Sequence, residues 1–263
     1  MKKIFVKMLA AMLAALLLFT VVGCGSKSDS ERIQSNGKLV VGVTVYKPMD
    51  YIDEETNEWA GFDADLAKMF AEELGVSCQI VIINWKQKVA ELNSKSIDLI
   101  WNGMTASDEL VGKIDFSVSY AKNAQVAVVK SDSAIATKDQ IKTAKVAVEG
   151  GSAGATVAEE ENMTNVTPVD AQIDALTEVK AGTSDVAIID ITMAQNVVGK
   201  GEYSNLKIVS GVSYGDEIFA VGLRKGSDLK KKLDAFLKAK YADGTMTELA
   251  EKYNVGLNTE ALA

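Results

Sequence analysis

From Lys38 onward, short apolar runs alternate with longer stretches whose apolar residues recur at helical spacing. KLVVGVTV (38–45) is β-rich and reads as a strand. GFDADLAKMFAEELG (61–75) places Phe62, Leu66, Met69, Phe70 and Leu74 on one helical face. Acids crowd its start, where the macrodipole favours them, and Gly75 offers a stop. CQIVII (78–83) is another apolar strand, 86–93 is helical, and the strand LIW (99–101) follows Asp98. With only two prolines in 263 residues, this alternation predicts an α/β architecture.

An echo runs through the chain. VAELNSKSIDLIWNG (89–103) reads helix, polar turn, Asp, apolar strand, loop, and ALTEVKAGTSDVAIID (175–190) reads the same way. Asp98 and Asp185 begin the two strands, and Gly103 and Asp190 follow each by five positions. One copy in each of two lobes would explain the echo; two ordinary αβ units sharing a turn grammar would also produce it. Paired lobes would set loops 102–105 and 190–192 across a cleft, since open α/β sheets bind ligands at the carboxyl ends of their strands.

Residues 1–24 bear on location. Lys2, Lys3 and Lys7 precede the apolar block MLAAMLAALLLFTVV (8–22), which is short for a membrane span. A basic start, a short apolar core and a small residue at the cut make residues 1–23 a secretory signal. The sequence VVGC (21–24) resembles a bacterial lipobox. That resemblance implies a lipid such as palmitate on Cys24 and an extracytoplasmic protein anchored to the cell membrane, with 24–37 as a hydrophilic tether. Cleavage after residue 23 leaves 240 residues and removes three lysines but no acid, taking the net charge from −8 to −11. Such a balance excludes nucleic acid as a partner and weakly favours cationic ligands. Lipidation would leave Cys78 as the lone thiol, so no internal disulfide is expected, and Cys78 reads as a small core residue.

The chain contains no histidine. This removes histidine triads, histidine acid–base chemistry and most zinc sites, and shifts the expectation from catalysis to binding. No cofactor or metal is expected. Asp190 closes the apolar run VAII (186–189), where a carboxylate can fix a ligand ammonium. The alternative is an N-cap for a helix starting at Ile191. Gly150-Gly151-Ser152-Ala153-Gly154 precedes the helix-like ATVAEEE (155–161). Its backbone N–H groups and Ser152 hydroxyl suit an anion, the alternative being a glycine turn with a capping serine. No lysine follows at P-loop spacing.

Several strings together resemble the family 3 extracellular solute-binding proteins, the polar amino-acid receptors of ABC importers, over residues 38–254. They are YKPMDYI (46–52), GFDADLAKMFAEELG (61–75), DLIWNGMTASDE (98–109), KIDFSVSY (113–120), VAVEGGSAGAT (146–156) and SDVAIID (184–190). The resemblance implies a two-lobed periplasmic-binding-protein-like α/β fold, with the ligand cleft between the lobes. Two segments would cross between them, near 121–130 and 213–222. Lobe 1 would take 38–122 and 219–263, and lobe 2 would take 123–218. It implies a monomeric receptor that captures an amino acid or related amine by hinge closure and delivers it to a membrane permease. A sensory ligand-binding module would look identical, and a prephenate-type dehydratase on the same fold is the enzymatic alternative, with Glu149 as its nearest acid.

By position, Asp190 matches the family's amine-binding aspartate, and Gly151 and Ser152 match the loop that grips the ligand carboxylate. Tyr46 and Trp85 match the aromatics that sandwich the ligand's apolar part. Asn102, Gly103 and Thr105 match a lobe-1 loop that presents backbone and side-chain groups to the ligand. Trp101 and Met104 are expected to pack inward, and Glu149 to be solvated at the rim. The sequence departs from the family at Leu110, where an arginine usually clamps the carboxylate. Leucine can neither donate nor neutralise, so recognition is expected to lean on the ligand's ammonium and apolar body.

Overall fold

The computed structural model describes residues 27–263. The signal segment 1–23, the Cys24 lipidation site and the first tether residues lie outside the described residues. Two five-stranded sheets organise the chain. The first is built on β1 (Lys38–Val43), which pairs in parallel with β4 (Ser77–Ile82) on one side and β5 (Leu99–Ile100) on the other. It is completed by β6 (Asp115–Phe116) and by the late strand β12 (Gly222–Leu223), inserted antiparallel between β5 and β6. The intervening β2 (Tyr51–Ile52) and β3 (Trp59–Ala60) form a separate hairpin.

The second sheet has the order β11-β7-β10-β8-β9 when its strands are numbered along the chain. They are β7 (Ala121–Lys130), β8 (Val146–Glu149), β9 (Val166–Val169), β10 (Val186–Asp190) and β11 (Leu206–Phe219). β8, β9 and β10 are parallel, and β7 runs antiparallel to both β10 and β11. Every residue of β10 is buried, as its unbroken apolar run requires for a strand covered on both faces. The long strands β7 and β11 pair from Leu206↔Lys130 to Phe219↔Ala121, and carry the chain into and out of this sheet. The fold is thus two-lobed α/β, with each lobe built on one sheet.

Polarity alone made 27–37 a tether, and the structure corrects this. Residues Asp29–Asn36 form helix α1, opened by a capping box of Ser28 and Glu31 and docked on the first lobe through buried Ile33. Asp29 receives Arg224 through Nε at 2.9 Å, and Arg32 pairs with Asp98. Arg224 also donates to the Leu92 and Ile97 carbonyls at 2.8 and 2.7 Å. A guanidinium with this many acceptors can be buried without an orphaned charge. Partners nearly two hundred residues away turn a polar string into a docked helix.

Helix α2 (Phe62–Glu73) buries Phe62, Leu66 and Phe70 as its apolar face demands, with Met69 half-buried. Its early acid Asp63 is not a solvated dipole partner; it turns inward, fully buried, and accepts from Gly103 N–H at 2.6 Å and Tyr120 O–H at 2.8 Å. Trp101 is buried against Phe70, and Met104 is buried too. Cys78, expected in the core, is half-buried on the edge strand β4.

The echoed segments have a shared physical role. Helix α3 (Lys88–Asn93) precedes β5. In the second lobe α4 (Lys138–Thr143) and α5 (Ala153–Glu160) stand either side of β8 in the chain, and α6 (Gln172–Ala181) precedes β10. Asp98 Oδ2 accepts the Val40 N–H at 2.9 Å, and Asp185 Oδ2 accepts the Lys145 N–H at 3.0 Å. In each lobe a strand-leading aspartate ties down a backbone donor beside the parallel neighbour. After α7 (Ile191–Val197), the C-terminal helices α8 (Leu229–Ala242) and α9 (Thr245–Tyr253) return to the first lobe. Phe236 meets Phe70 at 5.2 Å between centroids, and Tyr253 donates to Asp65 at 2.7 Å.

Candidate functional site

The carboxyl ends of β5 and β10 face each other across the space between the lobes. Asp190 ends β10 and is 3 % exposed. Its carboxylate accepts from Asn123 Nδ2 at 2.6 Å, from Gln172 Nε2 at 2.6 Å and from Gln125 Nε2. Asn123 and Gln125 sit two apart on β7, so both point to one face. Gln172 opens α6 and also accepts the Asp190 backbone N–H at 2.8 Å. Asp190 stands at the N-cap position of the following helix α7, but its side chain makes no capping hydrogen bond there. Burial and the Glu217 charge raise the Asp190 pKa to about 6, against the lowering effect of the Gln172 and Asn123 bonds. It is therefore a mainly ionised carboxylate at neutral pH, held by amides and joined in no ion pair among the described residues.

Seven of the eight predicted binding residues line one narrow cavity: Tyr46, Trp85, Asn102, Gly103, Thr105, Ser152 and Asp190. Glu149, Ala153 and Gln172 complete it. Gly151, the eighth, lines an adjoining space with Lys88, Met104, Glu109, Leu110 and Thr156. Trp85, Thr105, Ser152 and Ala153 border both. The lobes meet here closely. Gly151 has φ +75°, and a Cβ on it would stand 2.9 Å from Lys86 Cα of the opposite lobe.

The lobe-1 loop is largely spent on its own support. The Asn102 side chain donates to Thr44 O and Asp50, and accepts from the Thr44 N–H and hydroxyl. All four of its hydrogen-bonding positions are used. The Gly103 N–H goes to Asp63, and the Thr105 hydroxyl donates to Glu217 at 3.0 Å. These residues shape the wall, but the donors expected to face the ligand are turned away from it. Gly103, at φ +54°, is held beneath Tyr46, where a Cβ would lie 2.7 Å from the ring. Tyr46 packs edge-on against Phe219, and Trp85 carries the Lys88 ammonium 4.9 Å from its ring centroid. Ser152 Oγ caps helix α5 by accepting the Ala155 N–H at 3.2 Å, which leaves its own proton free to donate.

Two polar atoms of the cavity have no hydrogen-bond partner among the described residues: the Tyr46 hydroxyl and Glu149 Oε1. Glu149 is 2 % exposed, which overturns its expected solvated role. Burial raises its pKa to about 8 and Asp190 adds to the rise, opposed by the Thr44 hydroxyl and the Lys88 charge. The site thus pairs an ionised Asp190 with a Glu149 that is largely protonated at neutral pH.

Leu110 is buried with Trp85, Met104 and Ile114 in an apolar cluster, so its side chain replaces charge with packing. The residues that sequence reasoning missed are Asn123, Gln125, Gln172, Glu217 and Lys88. Two alternating amides inside the apolar run AKNAQVAVVK (121–130) were the available signal. Glu217 had none: its partners Thr105, Asn123 and Gln125 come from two distant segments.

This fold and cleft define a ligand-binding protein whose two lobes enclose the buried carboxyls of Asp190 and Glu149. The chain belongs to the bacterial extracellular solute-binding proteins, family 3, whose profile matches residues 39–256. It is 28% identical over 259 residues to the arginine-binding extracellular protein ArtP of Bacillus subtilis, covering 95% of this chain and 98% of ArtP. The ABC transporter glutamine-binding protein GlnH of the same organism is 28% identical over 269 residues, covering 96% of this chain and 97% of GlnH. In structure, it is similar to a mutant of the arginine-binding protein ArgBP of T. maritima. The TM-score is 0.80 at 32% identity, over 86% of this chain and 98% of that one. These relatives are amino-acid-binding proteins, and the chain has a solute-binding role.

Proposed function

We propose that this protein is the receptor of an ABC importer, anchored outside the cytoplasm by a lipid on Cys24, that captures an amino acid or related amine and delivers it to a permease. Residues 38–122 with 219–263 form lobe 1, and 123–218 form lobe 2. Ligand contacts drawn from both lobes exist only when the cleft is shut, so binding shifts the population toward closure. The observation that carries this reading is Asp190: a buried carboxylate steadied by three amides, facing a cavity with no cation of its own as ion-pair partner. A ligand ammonium supplies that cation. Tyr46 and Trp85 give the ligand's apolar body flat surfaces, and Gly151 and Ser152 stand where an anionic end would lie. Glu149 Oε1 and the Tyr46 hydroxyl offer further polar contacts to a cationic ligand.

Titration calorimetry of Asp190→Ala with the best-binding amino acid tests this. The expected loss is roughly 2–5 kcal/mol, the range for truncating one partner of a buried charge pair. Near-native affinity would refute the assignment. A dehydratase is the second reading, because a buried, protonated Glu149 is a proton donor in waiting. Turnover of prephenate, abolished in Glu149→Gln, would establish it; ligand binding without turnover would dismiss it.

A further inference from the structure

Lys88 is a buried cation of the cleft that feels the Glu149 and Glu109 carboxyls but, among the described residues, forms no ion pair within 4.0 Å. It opens α3 and is 7 % exposed. Its Nζ donates across the cleft to Gly151 O at 2.8 Å and to Trp85 O at 3.3 Å. Two carbonyls satisfy two of an ammonium's three donors. Among the described residues, Lys88 is in no ion pair, and the pairs within 4.0 Å all belong to other residues. Burial lowers its pKa to about 8, with Glu149 and Glu109 opposing. A latch between two carbonyls needs only a neutral amide. Burying a full charge for that purpose would cost desolvation that, among the described residues, no carboxylate within ion-pair distance offsets.

The position of this charge is informative. Lys88 lines the same cavity as Leu110 and Ser152, next to the space that holds Asp190. Leu110 brings no charge there, and Ser152 keeps a free hydroxyl proton at the start of α5. The cleft therefore sets Asp190 in one compartment and the buried Lys88 ammonium in the next, where the exposed Glu109 stands at the edge, and the two are joined past Trp85 and Thr105.

We propose that Lys88 is the specificity-determining residue that receives the ligand's carboxylate, so that the receptor selects an amino acid over the corresponding amine despite Leu110. This rests on the reading that Asp190 holds the ligand's ammonium. The ligand then spans the two compartments, ammonium at Asp190 and carboxylate at Lys88, with the Ser152 hydroxyl as a second donor.

The test compares amino acids with their decarboxylation products, L-arginine with agmatine and L-lysine with cadaverine among a panel of such pairs. Wild type, Lys88→Met and Lys88→Arg are titrated by calorimetry, after circular dichroism confirms that each variant is folded. Wild type should favour the acid at least about tenfold. Lys88→Met should cut that preference to within about threefold while amine affinity stays within about twofold, and Lys88→Arg should restore it. A merely structural lysine would weaken acid and amine alike, and that result overturns the proposal. So does an acid preference retained in Lys88→Met, or no acid preference in wild type. Asp190→Ala is titrated alongside. If it leaves affinity unchanged while Lys88→Met still removes the acid preference, the amine reading fails and the role of Lys88 stands. If no pair in the panel binds, both fail.

Discussion

Glu149→Gln offers a test of the cleft's electrostatics that needs no ligand. In the folded protein the carboxyl has a pKa of about 8, chiefly through burial, against an ordinary value of 4.5. At low pH the carboxyl is protonated whether the chain is folded or not, and wild type and variant should be equally stable. As pH rises past 4.5, the unfolded chain releases this proton and the folded chain keeps it. The folded state then binds more protons, so stability falls with rising pH until the folded group titrates near 8. One pKa unit between the folded and unfolded carboxyl is worth about 1.36 kcal/mol, giving the glutamine variant an advantage of about 3 kcal/mol at pH 7 and on the order of 4–5 kcal/mol at pH 9. Urea denaturation of ligand-free wild type and variant from pH 4 to pH 9 reads this directly. The difference should open from near zero, widen through pH 5 to 8, then level off. A constant difference across that range would mean that Glu149 is hydrated or ion-paired in solution, and the argument from burial would be wrong.

Other outcomes follow from particular contacts. Arg224→Met takes one of two cations from Asp29 and Asp98, leaving them Arg32, and empties two carbonyl acceptors, and should cost about 1–3 kcal/mol in chemical denaturation; a loss under about 0.5 kcal/mol would refute the docking of α1. Gly151→Ala forces a side chain to positive φ against Lys86 of the facing lobe. It should lower stability by about 1–2 kcal/mol and weaken ligand binding as well, seen as a lower melting temperature and a raised Kd. Cys24→Ser should move the protein from the membrane to the soluble fraction, and membrane retention in fractionated cells would rule out the lipid.

Local pattern along the chain is enough for the strand β1, the helix 62–73 and the αβ echo, because helical and strand periodicities are properties of neighbours in sequence. The absence of histidine and the acidic net charge likewise narrow the chemistry without any fold. Resemblance to a family added the set of positions expected to share a cleft. Tertiary structure decided what each polar group is used for. Asn102 and Asp63 carry chemistry that suits a ligand, yet both are consumed holding the lobe-1 loop. Asp190 owes its cradle to Asn123, Gln125 and Gln172, which lie 67, 65 and 18 residues away. Glu149 and Lys88 look like ordinary surface charges in the string and are both buried at the cleft. Helix α1 is polar throughout most of its length, and buried Ile33 together with Arg224 and Asp98 makes it a docked element rather than a tether. Burial and hydrogen-bond partnership depend on segments brought together from far along the chain, and one-dimensional pattern carries no record of which segments meet.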